Sequence, residues 1–134
     1  MIALDTNILA RLLTNDDPVQ ARQSVLLIDA GHALFVPLTV TLELEWVLRG
    51  AYSLGKPAIV RSFEALLSVR NMNFERKVDV QQALQYYQSG FDFADALHHA
   101  AAVGCNALVS FDHKFKKLAD KAKLKPPVVA PTDL

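Results

Sequence analysis

Four acids fall where a parallel α/β chain would place chemistry. Asp5 ends the apolar run Ile2-Ala3-Leu4, and Glu43 lies in the first turn or two of the helix that follows the apolar run 33–37. Asp95 opens a helix within Phe93-Ala94-Asp95-Ala96-Leu97, and Asp112 follows the apolar run 107–110. In open parallel sheets the ligand crevice lies beyond the carboxyl ends of the strands. Each acid taken singly reads equally well as a helix-capping carboxylate. Asp5 and Asp95 sit in apolar company, where an unpaired charge is costly, and no lysine or arginine lies within four residues of Asp95. Gathered carboxylates raise one another's pKa unless a cation is bound. Oxygen donors without thiolates suit a hard ion, Mg²⁺ or Mn²⁺. The chemistry this implies is metal-assisted hydrolysis of a phosphodiester.

Several neighbours bear on that reading. Lys114, Lys116 and Lys117 directly follow the fourth acid and would line the rim of its cleft, where a phosphate backbone runs; Arg11 adds a possible phosphate contact. Tyr52, Tyr86, Tyr87 and Phe91 suit either core packing or stacking on unpaired bases. Glu45, two residues from Glu43, points some 200° away on a helix and reads as surface. His98, His99 and His113 read as surface or packed residues, with one of the adjacent pair able to face the acids. Cys105 reads as a small hydrophobe beside the last core strand. Trp46 with Leu48 reads as helix-interface packing.

The elements that must position these residues follow from periodicity and punctuation. Strand character in Ile2–Leu4 gives way to helical spacing through Ile8, Leu9, Leu12 and Leu13. Asp16-Asp17-Pro18 caps a second helix running to Gly31. A strand over 33–37 precedes a third helix, capped by Thr39 or Thr41, with Leu42, Trp46 and Val47 on its apolar side. Lys56-Pro57 starts a fourth helix through Leu67, a strand is expected within 69–74, and Asp79 caps a fifth helix ending near Gly90. A helix over 93–103, a buried strand over 107–110, a lysine-rich helix and an edge strand at Val128-Val129 complete the chain. Helices separate nearly every pair of strands, and the strands are continuous apolar runs. That pattern predicts an α/β fold, a three-layer α/β/α sandwich around a short, mainly parallel sheet.

Composition bounds the alternatives. With 134 residues, 51% of them hydrophobic, the chain has material for one domain, residues 1–134, and is not disordered. No apolar run suits a membrane span and no signal peptide is expected, so the protein is expected in the cytoplasm. One cysteine permits neither an internal disulfide nor a thiolate zinc cluster. The formal net charge is zero, but residues 113–134 hold six lysines against Asp120 and Asp133, a net of +4, leaving −4 on residues 1–112. A basic tail follows an acidic body.

Taken together, Met1–Asn7 running into Asp-Thr-Asn, Glu43 in ThrLeuGluLeuGluTrpValLeu, Asp95 in PheAlaAspAlaLeuHisHisAlaAla and Asp112 in LeuValSerPheAspHisLysPhe resemble the four acidic motifs of PIN-domain ribonucleases. Chain length and the spacing around Glu43 and Trp46 look most like the VapC toxins of type II toxin–antitoxin pairs. The resemblance implies a PIN-like fold and one or two Mg²⁺ or Mn²⁺ ions held by Asp5, Glu43, Asp95 and Asp112. It implies endonucleolytic cleavage of RNA that leaves a 5′-phosphate and a 3′-hydroxyl. It casts Asn7 as orienting Asp5 or a water, and Ser110, where the family often has threonine, as a hydroxyl that supports the ligands. Asp92, one helical turn before Asp95, is a substitute or auxiliary ligand. The implied partners are an RNA substrate, a cognate antitoxin and a second copy in a homodimer, and the implied outcome is inhibition of translation or growth.

Two other classes compete. One is a catalytically inactive PIN-like module that binds RNA or protein. The other is a phosphate-accepting receiver, which would want two acids together near the start, where this chain has only Asp5.

Overall fold

The computed structural model describes residues 1–134, which form two compact units, Met1–Lys77 and Val78–Leu134. The first contains β1 (Ile2–Ala3), α1 (Thr6–Thr14), α2 (Pro18–Asp29), β2 (Leu34–Val36), α3 (Leu38–Gly50), α4 (Lys56–Leu67) and β3 (Met72–Phe74). Its strands run in the order β1-β2-β3, all parallel, with Ile2 opposite Leu34 and Leu34 opposite Met72. Parallel neighbours cannot be joined by a tight turn, so two helices fill each crossover. The central strand is the buried one, Leu34 and Val36 being fully enclosed. β1 pairs on one side only, and Ile2 is 42% exposed. The apolar run at the start is therefore an edge rather than the buried strand expected, and burial begins at Leu4.

Helix starts follow local chemistry in most places. Asp17 accepts a hydrogen bond from Gln20 N at 3.1 Å, with Pro18 in the first turn of α2. α4 spans the residues expected. α3 differs: it starts after Pro37 without a side-chain cap, and Thr41 lies inside it, fully buried with an unpaired hydroxyl. Its buried stripe is Thr41, Leu44, Glu45 and Leu48. Glu45, read as surface, is 3% exposed and takes a 2.8 Å hydrogen bond from Arg49 Nε. Trp46, read as packed, is 64% exposed. Apolar residues ring this helix on almost every side, so periodicity alone could not choose its inner face.

The second unit, which begins one residue into α5 (Lys77–Gln88), holds the rest of that helix, α6 (Phe93–Ala101), β4 (Leu108–Val109), α7 (His113–Lys121), β5 (Val128–Val129) and a closing 3₁₀ turn, Pro131–Asp133. β4 and β5 pair in parallel, Leu108 opposite Val128, and α7 is their crossover. With one partner, β4 is not the buried strand expected: Leu108 is half-buried and Val109 exposed. Asp79 lies in the first turn of α5. The core is aromatic, with edge-to-face pairs Tyr87–Phe93 at 5.4 Å and Phe91–Phe115 at 6.2 Å. Tyr86 also packs edge-on to Phe91, at 5.3 Å. His99 is buried with Nε2 2.8 Å from the Pro126 carbonyl oxygen, while His98 and His113 are exposed. Cys105 is exposed in the turn after α6, so it does not pack beside the strand as expected.

The α/β class with parallel pairing holds, its strands divided between a three-stranded and a two-stranded sheet. No helix is long and apolar enough to cross a membrane. Phe63 is fully buried on α4. Phe63→Ala is expected to lower the unfolding free energy by about 3–5 kcal/mol, read from the midpoint of urea denaturation at unchanged slope.

Candidate functional site

In the second unit, two helix starts bring acids to one place. Asp92 is the N-cap of α6, its Oδ2 accepting from Asp95 N at 3.1 Å. Asp95 thus sits in the first turn of the helix, one turn after the residue that opens it. Asp112 is the N-cap of α7, its Oδ1 accepting from Phe115 N at 3.1 Å. The Asp112 N–H in turn donates to Ser110 Oγ at 3.0 Å, so the serine fixes the backbone that carries the acid. Asp92, Asp95, Asp112 and Lys114 line one pocket of about 60 Å³, room for a few waters.

The electrostatics are those of crowded like charges. Burial first, and then the negative charges of Asp92 and Asp112, push the Asp95 carboxyl above its ordinary range, while His98 pulls it down. The orphan N–H groups at the two helix starts supply fixed partial positive charge. The side chains of Asp92 and Asp112 each satisfy one such group with one oxygen.

The donor set fits a hard divalent cation in kind: oxygen only, negative, and crowded enough for a cation to relieve it. No three His, Cys, Asp or Glu side chains lie close enough together in the structure to hold a metal ion between them. Lys114 is exposed on the pocket wall. Lys117 is exposed on α7, and Lys116 pairs with Asp120 at 3.2 Å.

In the first unit, Asp5 is exposed and is the N-cap of α1, Oδ1 accepting from Thr6 N at 2.8 Å. Asn7 is exposed in the first turn of that helix, and Glu43 is exposed on α3. The core-like setting expected for Asp5 is not found, because an edge strand leads into it. Arg11 is engaged within this unit: Nη1 donates to Asp16 Oδ1 at 3.0 Å and to the Tyr52 hydroxyl, and Nε donates to Gln20. Desolvation is the largest single influence on the Asp16 carboxyl and pushes it up, but hydrogen bonds from Tyr52, Thr14 and Arg11 and the charge of Arg11 together outweigh it and hold the group below its usual range. Tyr52 thus has its hydroxyl tied into an ion-pair cluster, and Tyr87 and Phe91 are buried. Glu45 is the acid whose setting was misread. Its i,i+4 spacing to Arg49 was the available signal.

Residues 2–121 match the PIN domain family, a span that runs through both units. The chain is also 31% identical over 127 residues to the VapC ribonuclease of Aquifex aeolicus (strain VF5), covering 90% of this chain and 94% of that protein.

The raised Asp95 carboxyl has a stability consequence. Its folded-state pKa lies above the unfolded value, so its contribution is fully present below the unfolded pKa and is lost as pH rises through the folded one. At pH 7, Asp95→Asn is expected to unfold at the same temperature as the native protein or slightly above. That advantage should vanish in acid, below the unfolded carboxyl pKa. Paired thermal melts across that range check it, and a mutant markedly less stable at pH 7 contradicts it.

Proposed function

The chain belongs to the PIN-domain family, and from that membership we propose that residues 1–134 work as one metal-dependent endoribonuclease domain that hydrolyses RNA phosphodiester bonds. The observation that carries the reading is the pocket lined by Asp92, Asp95, Asp112 and Lys114, with Asp95 pushed up by burial and then by the charges of its neighbours. The likeness to a VapC ribonuclease supports the further proposal that the protein is the toxin of a toxin–antitoxin pair, limiting translation or growth in the cytoplasm. Its partners would be an RNA substrate, an antitoxin and a second copy of itself.

Asp95 and Asp112 are proposed to hold Mg²⁺ or Mn²⁺, one or two ions, with Asp92 auxiliary, and family membership proposes the same role for Asp5 and Glu43. A divalent cation bound by these acids would lower the pKa of a coordinated water and screen the charge that grows on phosphorus. The chain's own groups do the positioning. Ser110 takes the Asp112 N–H and so sets the α7 start. Asp92 uses one oxygen to cap α6, which fixes the backbone that bears Asp95. Lys114 offers a positive charge to a phosphate oxygen at the pocket, with Lys116 and Lys117 following on the same helix. Arg11 and Asn7 are proposed as a phosphate contact and as the residue that orients Asp5.

The test is cleavage of total RNA by the purified protein in EDTA, Mg²⁺ or Mn²⁺, with new 5′ ends mapped. Discrete, metal-dependent cuts are expected, reduced at least about 100-fold in Asp95→Asn and about tenfold in Ser110→Ala. Asp95→Asn cleaving as the native protein does would overturn the assignment of Asp95. Intact RNA in every metal, from protein freed of any bound partner, would leave a binding module in its place.

A further inference from the structure

Every other phenylalanine and tyrosine ring of the second unit is buried or half-buried, but Phe111 is not. Tyr86, Tyr87, Phe91, Phe93 and Phe115 share edge-to-face contacts in its core, whereas Phe111 is 87% exposed. A phenyl ring left in water forgoes the gain that burial brings, and here it is left there on a rigid support. On one side of it, Ser110 N donates to the Val129 carbonyl at 2.9 Å. On the other, Asp112 N donates to Ser110 Oγ, and Asp112 accepts from Phe115 N. The ring therefore rises from a three-residue turn whose two flanks are pinned. It is covalently next to an acid of the pocket and three residues before the pocket's lysine.

An exposed aromatic face beside cations that follow a phosphate backbone is the combination that holds single-stranded nucleic acid. The lysines attract any RNA, duplex or not, because phosphates carry no base information. A flat ring discriminates, since only a base outside a helix presents a free face. We infer that Phe111 is a stacking platform for an unpaired base beside the phosphodiester that is cut. The inference rests on the ribonuclease reading and adds to it the residue that selects unpaired RNA. Pinning the turn before binding reduces the ordering cost of the contact.

The experiment measures binding of the full chain in EDTA to one RNA sequence, single-stranded and as a duplex, for the native protein, Phe111→Ala and Phe111→Trp. Cleavage with metal is followed in parallel. Expected is a rise of about fivefold or more in Kd for the single strand in Phe111→Ala, recovery in Phe111→Trp, and little change for the duplex. Dependence of log Kd on log salt should stay the same in all three, because no phosphate contact is removed. Thermal melts should coincide, the ring being unburied. Equal loss on both RNAs, or single-strand binding within twofold of native, overturns the platform. So does a Phe111→Ala defect confined to binding of a protein partner. A native protein that cleaves RNA while Phe111→Ala cleaves it equally well sinks this inference alone. A native protein that neither binds nor cleaves RNA brings down the ribonuclease reading and this inference together.

Discussion

Three carboxylates within one small pocket repel each other, and the second unit is arranged around tolerating that repulsion. Asp92 and Asp112 are each bound to a helix start, where unpaired N–H groups offset part of the negative charge. Asp95 caps neither helix, and burial, followed by the charges of Asp92 and Asp112, displaces its carboxyl upward. The pocket is thus held by the two helices more than by the acids themselves. Salt weakens such interactions at the exposed rim, with a screening length of about 8 Å at physiological ionic strength. The partly buried Asp95 is less screened.

Capping and charge are served by the same atoms here. A carboxylate at an N-cap stabilises its helix by about 1 kcal/mol, and the same carboxylate raises the energy of its ionised neighbour. Asp92 illustrates the balance: its Oδ2 sets the backbone of Asp95 while its charge opposes ionisation of the Asp95 side chain. Ser110 contributes without charge, as a hydrogen-bond acceptor that shapes the turn into α7.

Much of this was legible from residue types. Asp95 and Asp112 each stand at the border of an apolar segment and a helix, a border readable in the residues, and both line the pocket. The parallel α/β class was legible because strands read as unbroken apolar runs with helices between them. What failed was the assignment of faces and edges. β1 and β4 are two-residue strands with one partner each, and nothing local distinguishes an apolar edge from an apolar centre. On α3 the competing apolar residues hid the true inner stripe, so Glu45 and Trp46 exchanged places. The hydrogen bond that joins Arg11 to Tyr52 spans 41 positions in sequence, so no periodic pattern could announce it.

Cys105 lies exposed in the turn between α6 and β4, and it is the chain's single cysteine. A thiol reagent therefore reaches one defined point on the molecule, some residues away from each carboxylate discussed above. That makes the chain amenable to attaching one dye, spin label or affinity tether without altering a charge in the pocket. It also means that storage without a reductant can join two molecules only through this turn, producing a covalent pair whose linkage is an artefact of air. Any mass measurement of the protein's own assembly is meaningful only with this sulfur kept reduced or replaced.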